Sequence, residues 1–234
     1  MRYYCINLDK RPDRWETFKK DFKELNLGCE PTRISGVDFN LDPLFISDFK
    51  HDTTLQTIVN AAGCAAAHYN AITTAIKDGS DTFTIFEDDA FFYDYSKDLI
   101  TKSLHYLKDK DWHILYWGCE PNKDSDPNPI RETEVDFIVR VLSANLTHAM
   151  TYNRDFAINL VKNFPQNMDV GEWIAWIKEH QPLDKYLHSH LIKGKCYVPH
   201  KICACQYNGY SDIDCLHNDR KDVIEKAFKE NTLI

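Results

Sequence analysis

Short apolar runs of strand length alternate along this chain with stretches of helical periodicity, and that alternation most narrows what it can fold into. Tyr3–Leu8 reads as a first strand. Pro12 suits the first turn of a helix in which Trp15, Phe18, Phe22 and Leu25 recur at helical spacing, with Gly28 ending it. Glu30–Ile34 reads as a second strand, and an alanine-rich helix over Ala61–Lys77 stops at Asp78-Gly79. Strand, helix and strand follow at Thr82–Phe86, Ser96–Lys108 and His113–Trp117. Phe137–Leu142 and His148–Tyr152 read as a strand pair. Helices at Asp155–Asn163, Glu172–Glu179 and Asp184–Ile192 then precede a strand at Cys196–Cys205 and an amphipathic helix at Asp219–Lys229. Interleaving of this kind predicts an α/β fold, a Rossmann-like, mostly parallel central sheet with helices on both faces. Residues 37–57 carry the least pattern and are expected to be a mobile loop. Glu120–Glu132 holds Pro121, Pro127 and Pro129 among polar residues, which predicts a surface loop.

The formal charge of −8 argues against nucleic acid or a lipid surface as main partner, because binding a polyanion needs a basic face. Any phosphate held here must be neutralised locally. No run approaches the roughly 18–20 apolar residues that span a bilayer, and the N-terminus meets Asp9, Lys10 and Arg11 too early for a signal peptide. A cytoplasmic chain with reduced thiols is therefore expected. Cys5, Cys29, Cys64 and Cys119 sit in or beside apolar stretches, as packed thiols do. Cys196, Cys203, Cys205 and Cys215 crowd together near His200 and His217 but lack the paired spacing of a zinc site. As members of one alternating strand, Cys203 and Cys205 are expected to share a face.

Chemistry enters where the apolar run Thr82–Phe86 opens into Glu87-Asp88-Asp89. Three successive carboxylates repel one another, and strand carboxyl ends are where open α/β sheets bind ligands. Alternation aims Glu87 and Asp89 the same way, so both can converge on one hard cation, Mn²⁺ or Mg²⁺. Such an ion would neutralise a diphosphate leaving group. The plainer alternative is a solvated acidic turn. After the first strand, Ile6-Asn7-Leu8-Asp9 leads into Lys10-Arg11-Pro12-Asp13-Arg14. Free amides at a helix start favour anions, and Arg11 and Arg14 can face one side of the first turn. The alternative there is a capped surface helix. No dinucleotide or P-loop glycine fingerprint is present.

These segments together resemble glycosyltransferase family 25, the group of lipooligosaccharide sugar transferases and collagen galactosyltransferases. The matching stretches are Ile6–Arg14, Gly63-Cys64-Ala65-Ala66-Ala67-His68, Ile85–Ala90, Thr147-His148-Ala149-Met150, Pro182-Leu183-Asp184, and Pro199, Gln206 and Ser211-Asp212. Serine usual before the histidine is Ala67 here, and a frequent tyrosine is Met150.

The resemblance implies one GT-A-type domain over residues 1–234, with a nucleotide-binding half at 1–118 and an acceptor-side half at 119–234. It further implies a divalent metal, Mn²⁺ or Mg²⁺, and a UDP-sugar donor, galactose or glucose, for lipopolysaccharide or glycoprotein glycan synthesis. The acceptor would be a glycan or a hydroxylated protein. Asp89 would ligate the metal, with Glu87 or Asp88 on the metal or the ribose, and a further ligand from among His200, Asp212 and His148. Asn7, Leu8, Arg11, Arg14, Gly63, His68, His148, Gln206 and Ser211 would contact the donor. His68 and His148 read equally well as hydrogen-bonded core residues.

Inverting transfer needs a carboxylate to take the acceptor's proton. Asp184 is the preferred base, Asp169 and Glu172 the reserves; a first-turn helix acid is the plain reading of Asp184. Two other functions fit the same residues: a nucleotide-sugar-binding protein without catalysis, and a metal-dependent hydrolase of nucleotide sugars or phosphate esters.

Overall fold

A computed structural model describes residues 1–39, 53–123, 125–191, 193–211 and 216–231. The elements run β1 (Arg2–Asn7), α1 (Pro12–Glu24), β2 (Thr32–Ser35), α2 (Thr53–Lys77), β3 (Thr82–Glu87), β4 (Ala90–Phe92), α3 (Ser96–Leu107), β5 (Ile114–Tyr116), β6 (Glu120–Pro121), β7 (Ile130–Arg131), β8 (Ile138–Val141), β9 (Ala144–Asn145) and β10 (Ala149–Asn153). They continue with α4 (Arg154–Leu160), a 3₁₀ turn (Val161–Asn163), α5 (Val170–His180), α6 (Leu183–Leu191), β11 (Cys196–Pro199), β12 (Ala204–Gln206), β13 (Gly209–Ser211), β14 (Leu216–Asn218) and α7 (Arg220–Asn231).

Eight strands form the central sheet in the order β2-β1-β3-β10-β5-β11-β8-β7. Reading the pairings across it, β10 and β8 run against the other strands, which all share one direction. The expected α/β fold with a mostly parallel sheet is what forms. Alternation along β1 and β3 sends side chains into two separate apolar layers. Tyr4, Phe83 and Ile85 pack under α2, α4, α5 and α6, while Tyr3, Cys5 and Phe86 pack under α1 and α3. Helices therefore cover both faces. Each large side chain buried this way contributes roughly 1.5–3 kcal/mol.

Several sequence expectations change in the structure. Helix α1 ends before Gly28, and Asn26 makes the first left-handed turn residue at φ 49°. The helix read from Ala61 begins at Thr53, inside the stretch expected to be a loop; residues 40–52 of that stretch lie outside the described residues. Strands β8 and β10 are not partners: β10 fills the gap between β3 and β5, while β8 pairs with β11 and β7. The proline-rich segment donates β6, which pairs with β9, and β7 at the sheet edge.

The strand expected at 196–205 breaks after Pro199, so β11 stays in the sheet while β12 crosses to pair with β4. That break puts Cys203 and Cys205 in opposite apolar layers rather than on one face.

The crossing to β12 depends on Gly118. The carbonyl of Trp117 accepts from the amides of Cys203 and Ala204, and a Cβ on Gly118 would stand 1.9 Å from the Ala204 carbonyl oxygen. Backbone cannot yield as a flexible side chain can. Gly118→Ala is expected to cost about 1–3 kcal/mol, the usual range for overpacking, read as a lower urea midpoint. An unchanged midpoint would show that the segment can shift freely.

Candidate active site

Strand β3 carries its apolar side chains to Phe86 and releases the chain at Glu87, the point where its neighbour β1 also ends at Asn7. Asp88 and Asp89 form the tight turn before β4. Each of the three carboxylates has its own partners. Glu87 Oε1 accepts from Thr147 Oγ1 at 2.6 Å and from His68 Nε2 at 3.2 Å. Asp88 accepts from Asn7 Nδ2 at 2.6 Å and faces Arg14 Nη1 at 3.4 Å. Asp89 has both oxygens 3.3 Å from Gln206 Nε2, a long and shared contact. Gln206 reaches it because β12 sets Gln206 opposite Ala90, and the Tyr207 amide donates to the Asp89 carbonyl.

The electrostatics separate the three. Burial opposes charge on Glu87, but the hydrogen bond and charge of His68 and then the Thr147 hydroxyl prevail and hold it below the usual glutamate range. Burial raises Asp88, against the Asn7 bond and Arg14. Burial, then the charges of Glu87 and Asp88, lift Asp89 to about 7, against Arg14 and Gln206. Like charges gathered this way want a cation. The donors are hard carboxylate oxygens, which suit Mn²⁺ or Mg²⁺. Among the described residues no hydrogen-bond donor reaches Glu87 Oε2. Asp89 and Glu87 are accordingly better placed for a metal than Asp88, whose two oxygens face Asn7 and Arg14.

All three carboxylates line a cavity of about 630 Å³, and Asp184, Lys185, Arg11, Arg14 and Arg220 line it with them. A second cavity of about 150 Å³ adjoins it through Glu87, Asp88, Asp89, Arg14, Cys64 and Gln206, and is walled further by Leu8, Gly36, Gly63 and His68. Gly63 has no room for a side chain, since a Cβ there would meet the Val37 carbonyl at 2.4 Å.

Asp184 lies on the first turn of α6, as its sequence position predicts. It accepts from the Lys185 amide at 2.8 Å and from the Leu146 amide at 3.4 Å. Leu146 holds φ at 76° and Gln181 at 66°, and both line the large cavity. Left-handed backbone at non-glycine residues is strained, and strain of this kind concentrates at functional sites. At Leu146 it aims an amide at Asp184 while the next residue, Thr147, meets Glu87.

Other expected contacts fall elsewhere. Asn7 is buried and lines neither cavity. Its amide nitrogen donates to the Arg11 carbonyl and to Asp88, and its oxygen accepts from Arg33. It therefore positions the loop and Asp88. His148 is fully buried, held neutral by burial in spite of Glu87, and bonded through Nε2 to the Ala204 carbonyl. It ties β10 to β12 and lines neither cavity. His200, expected as a metal ligand, also lines neither; its amide bonds the Phe137 carbonyl beside β8. The turn at Pro199 directs it away from the acidic cluster.

Asp212 lies outside the described residues. Ser211 is placed by its backbone in β13, opposite Leu216. Arg11 sits on the large cavity and pairs with Asp13. Asp169 accepts from the Glu172 amide as the cap of α5, and neither of the two lines the cavities. Lys185, Tyr207 and Arg220 were not anticipated; only their long-range placement reveals them.

A family model, glycosyltransferase family 25 (LPS biosynthesis protein), matches residues 1–166. The chain belongs to glycosyltransferase family 25. The matched span takes in the β1 loop, Gly63–His68, the acidic turn and Thr147-His148, but not Asp184 or Gln206. No curated protein matches. Among solved structures, A197 from STIV is similar at 13% identity over 94% of this chain and 96% of that one, TM-score 0.44. Apo UDP-glucose pyrophosphorylase is similar at 9% over 98% of each, TM-score 0.46, and mouse xyloside xylosyltransferase 1 at 8% over 82% of each, TM-score 0.39. None of the three bears on what this family 25 chain binds. No helix among the described residues is long and apolar enough to cross a membrane.

Proposed function

We propose that this glycosyltransferase moves galactose or glucose from a UDP-sugar onto an acceptor hydroxyl, with inversion and with Mn²⁺ or Mg²⁺ bound at Asp89 and Glu87. One observation carries the reading: the acidic turn, Asp184 and the cations Arg11, Arg14 and Arg220 face one cavity. A bound divalent cation would neutralise the donor's diphosphate and stabilise it as it leaves. The protein's own groups do the rest. Arg14, on the wall shared by both cavities, supports the acidic turn and offers positive charge to the donor. Leu8 and Gly63 leave the small cavity open to the nucleoside end. Asp184 takes the acceptor hydroxyl's proton as that oxygen attacks, its carboxylate held by two backbone amides.

The test is a product assay with UDP-galactose and UDP-glucose, Mn²⁺ and an oligosaccharide acceptor panel. Sugar appearing on an acceptor, with UDP released in equal amount, is the expected result. Free sugar alone would make the protein a hydrolase. UDP binding with no turnover across the panel would make it a binding protein.

A further inference from the structure

Helix α2 brings a second set of metal-binding groups to the floor of the same cleft. Cys64 and His68 lie four residues apart, hence on one face of the helix, and that face meets the end of β3 at Glu87. The Cys64 thiol, an imidazole nitrogen of His68 and a Glu87 carboxylate oxygen all lie within 4.8 Å of one another. It is the sole such grouping of His, Cys, Asp and Glu among the described residues. We infer that Cys64, His68 and Glu87 form a site for a thiophilic divalent cation of the Zn²⁺ class, distinct from the oxygen-donor set at Asp89.

Three features support it. One sulfur, one nitrogen and one oxygen make a donor set that Zn²⁺ takes readily and Mg²⁺ or Mn²⁺ does not. Tetrahedral coordination at about 2.0–2.3 Å sets ligand atoms roughly 3.3–3.7 Å apart, and His68 Nε2 already stands 3.2 Å from Glu87 Oε1. The thiol, within 4.8 Å of both partners, has at most about 1–1.5 Å to close. The His68 ring is fully buried, which fixes Nε2 beside Glu87. Cys64 and Glu87 both line the two cavities, which leaves a fourth coordination position facing the cleft. Binding releases the thiol proton to solvent and forms a metal–thiolate bond, while the His68 proton moves from Nε2 to Nδ1 so that the neutral imidazole offers Nε2 to the ion. Because Glu87 belongs to both sets, Zn²⁺ here withdraws it from the Asp89 site, and thiophilic metals should inhibit where hard ones activate. The site itself stands whether or not the protein transfers sugar.

The probe is Co²⁺, whose bond to a thiolate gives an ultraviolet charge-transfer band, titrated into the full, reduced chain. One equivalent should produce the band and one of Zn²⁺ should bleach it. Cys64→Ser, shown folded by circular dichroism, should lose the band and bind Zn²⁺ at least ~100-fold more weakly; Cys64→Ala should behave the same way. Asp89→Asn, which leaves all three proposed ligands in place, should keep the band. Absence of a band in the unmutated protein, its persistence in either Cys64 variant, or its loss in folded Asp89→Asn would overturn the assignment.

Discussion

Asp89→Ala is expected to lower sugar transfer by ~10³-fold or more, the scale on which losing a charge-stabilising group acts, without unfolding the protein. Asp89 is held among Glu87 and Asp88, with its carboxyl lifted to about 7. The unfolded chain gives up that proton near 3.8, so the native state is favoured by it at low pH and loses that advantage as pH rises towards 7. In metal-free protein at pH 7.5, removing Asp89 should therefore leave the thermal midpoint equal to or above that of the unmutated chain. Lost activity with retained or increased stability separates a functional carboxylate from a structural one. A lowered midpoint would make Asp89 part of the scaffold.

The second large effect is expected at Asp184. Asp184→Asn keeps the shape of the side chain and removes its basicity. Turnover should fall ~10²–10⁴-fold, the usual contribution of a positioned general base. Affinity for the donor should stay within about threefold, because the base acts on the acceptor's proton and adds little to ground-state binding. Equilibrium binding of UDP and single-turnover transfer measure the two separately. A variant whose turnover at saturating donor is normal and whose only defect is donor binding would move Asp184 from catalysis to the nucleotide pocket.

Much of this site was legible because its parts are local. An apolar strand running into three carboxylates, and a first strand running into arginines, are patterns of adjacent residues, and both open onto the cleft as expected. What failed was long-range. The approach of β12 to β4 brings Gln206 to Asp89 across more than a hundred residues, and nothing in the spacing of either segment encodes it. Strands β8 and β10 looked like partners because they are neighbours in sequence, whereas in the sheet β10 pairs with β3 and β5, and β8 with β11 and β7.

The family resemblance put Asn7 on the donor; in the fold it is buried and bonded to Arg11, Arg33 and Asp88, the position of a brace. His148 and His200 show the same ambiguity: a histidine's composition says nothing of which way its ring points. Cys64 is the converse case. It reads as a packed thiol in an alanine-rich helix until the fold sets Glu87 beside it.

In the proposed reaction a cation at the end of β3 joins the protein to a diphosphate. Calorimetric titration of UDP into the metal-free chain, repeated with saturating Mn²⁺ and then with Asp89→Ala, tests this most directly. The prediction is at least ~10-fold tighter UDP binding with Mn²⁺, about 1.4 kcal/mol, and no such gain in Asp89→Ala. Equal UDP affinity with and without the metal, or an undiminished gain in the variant, would contradict it.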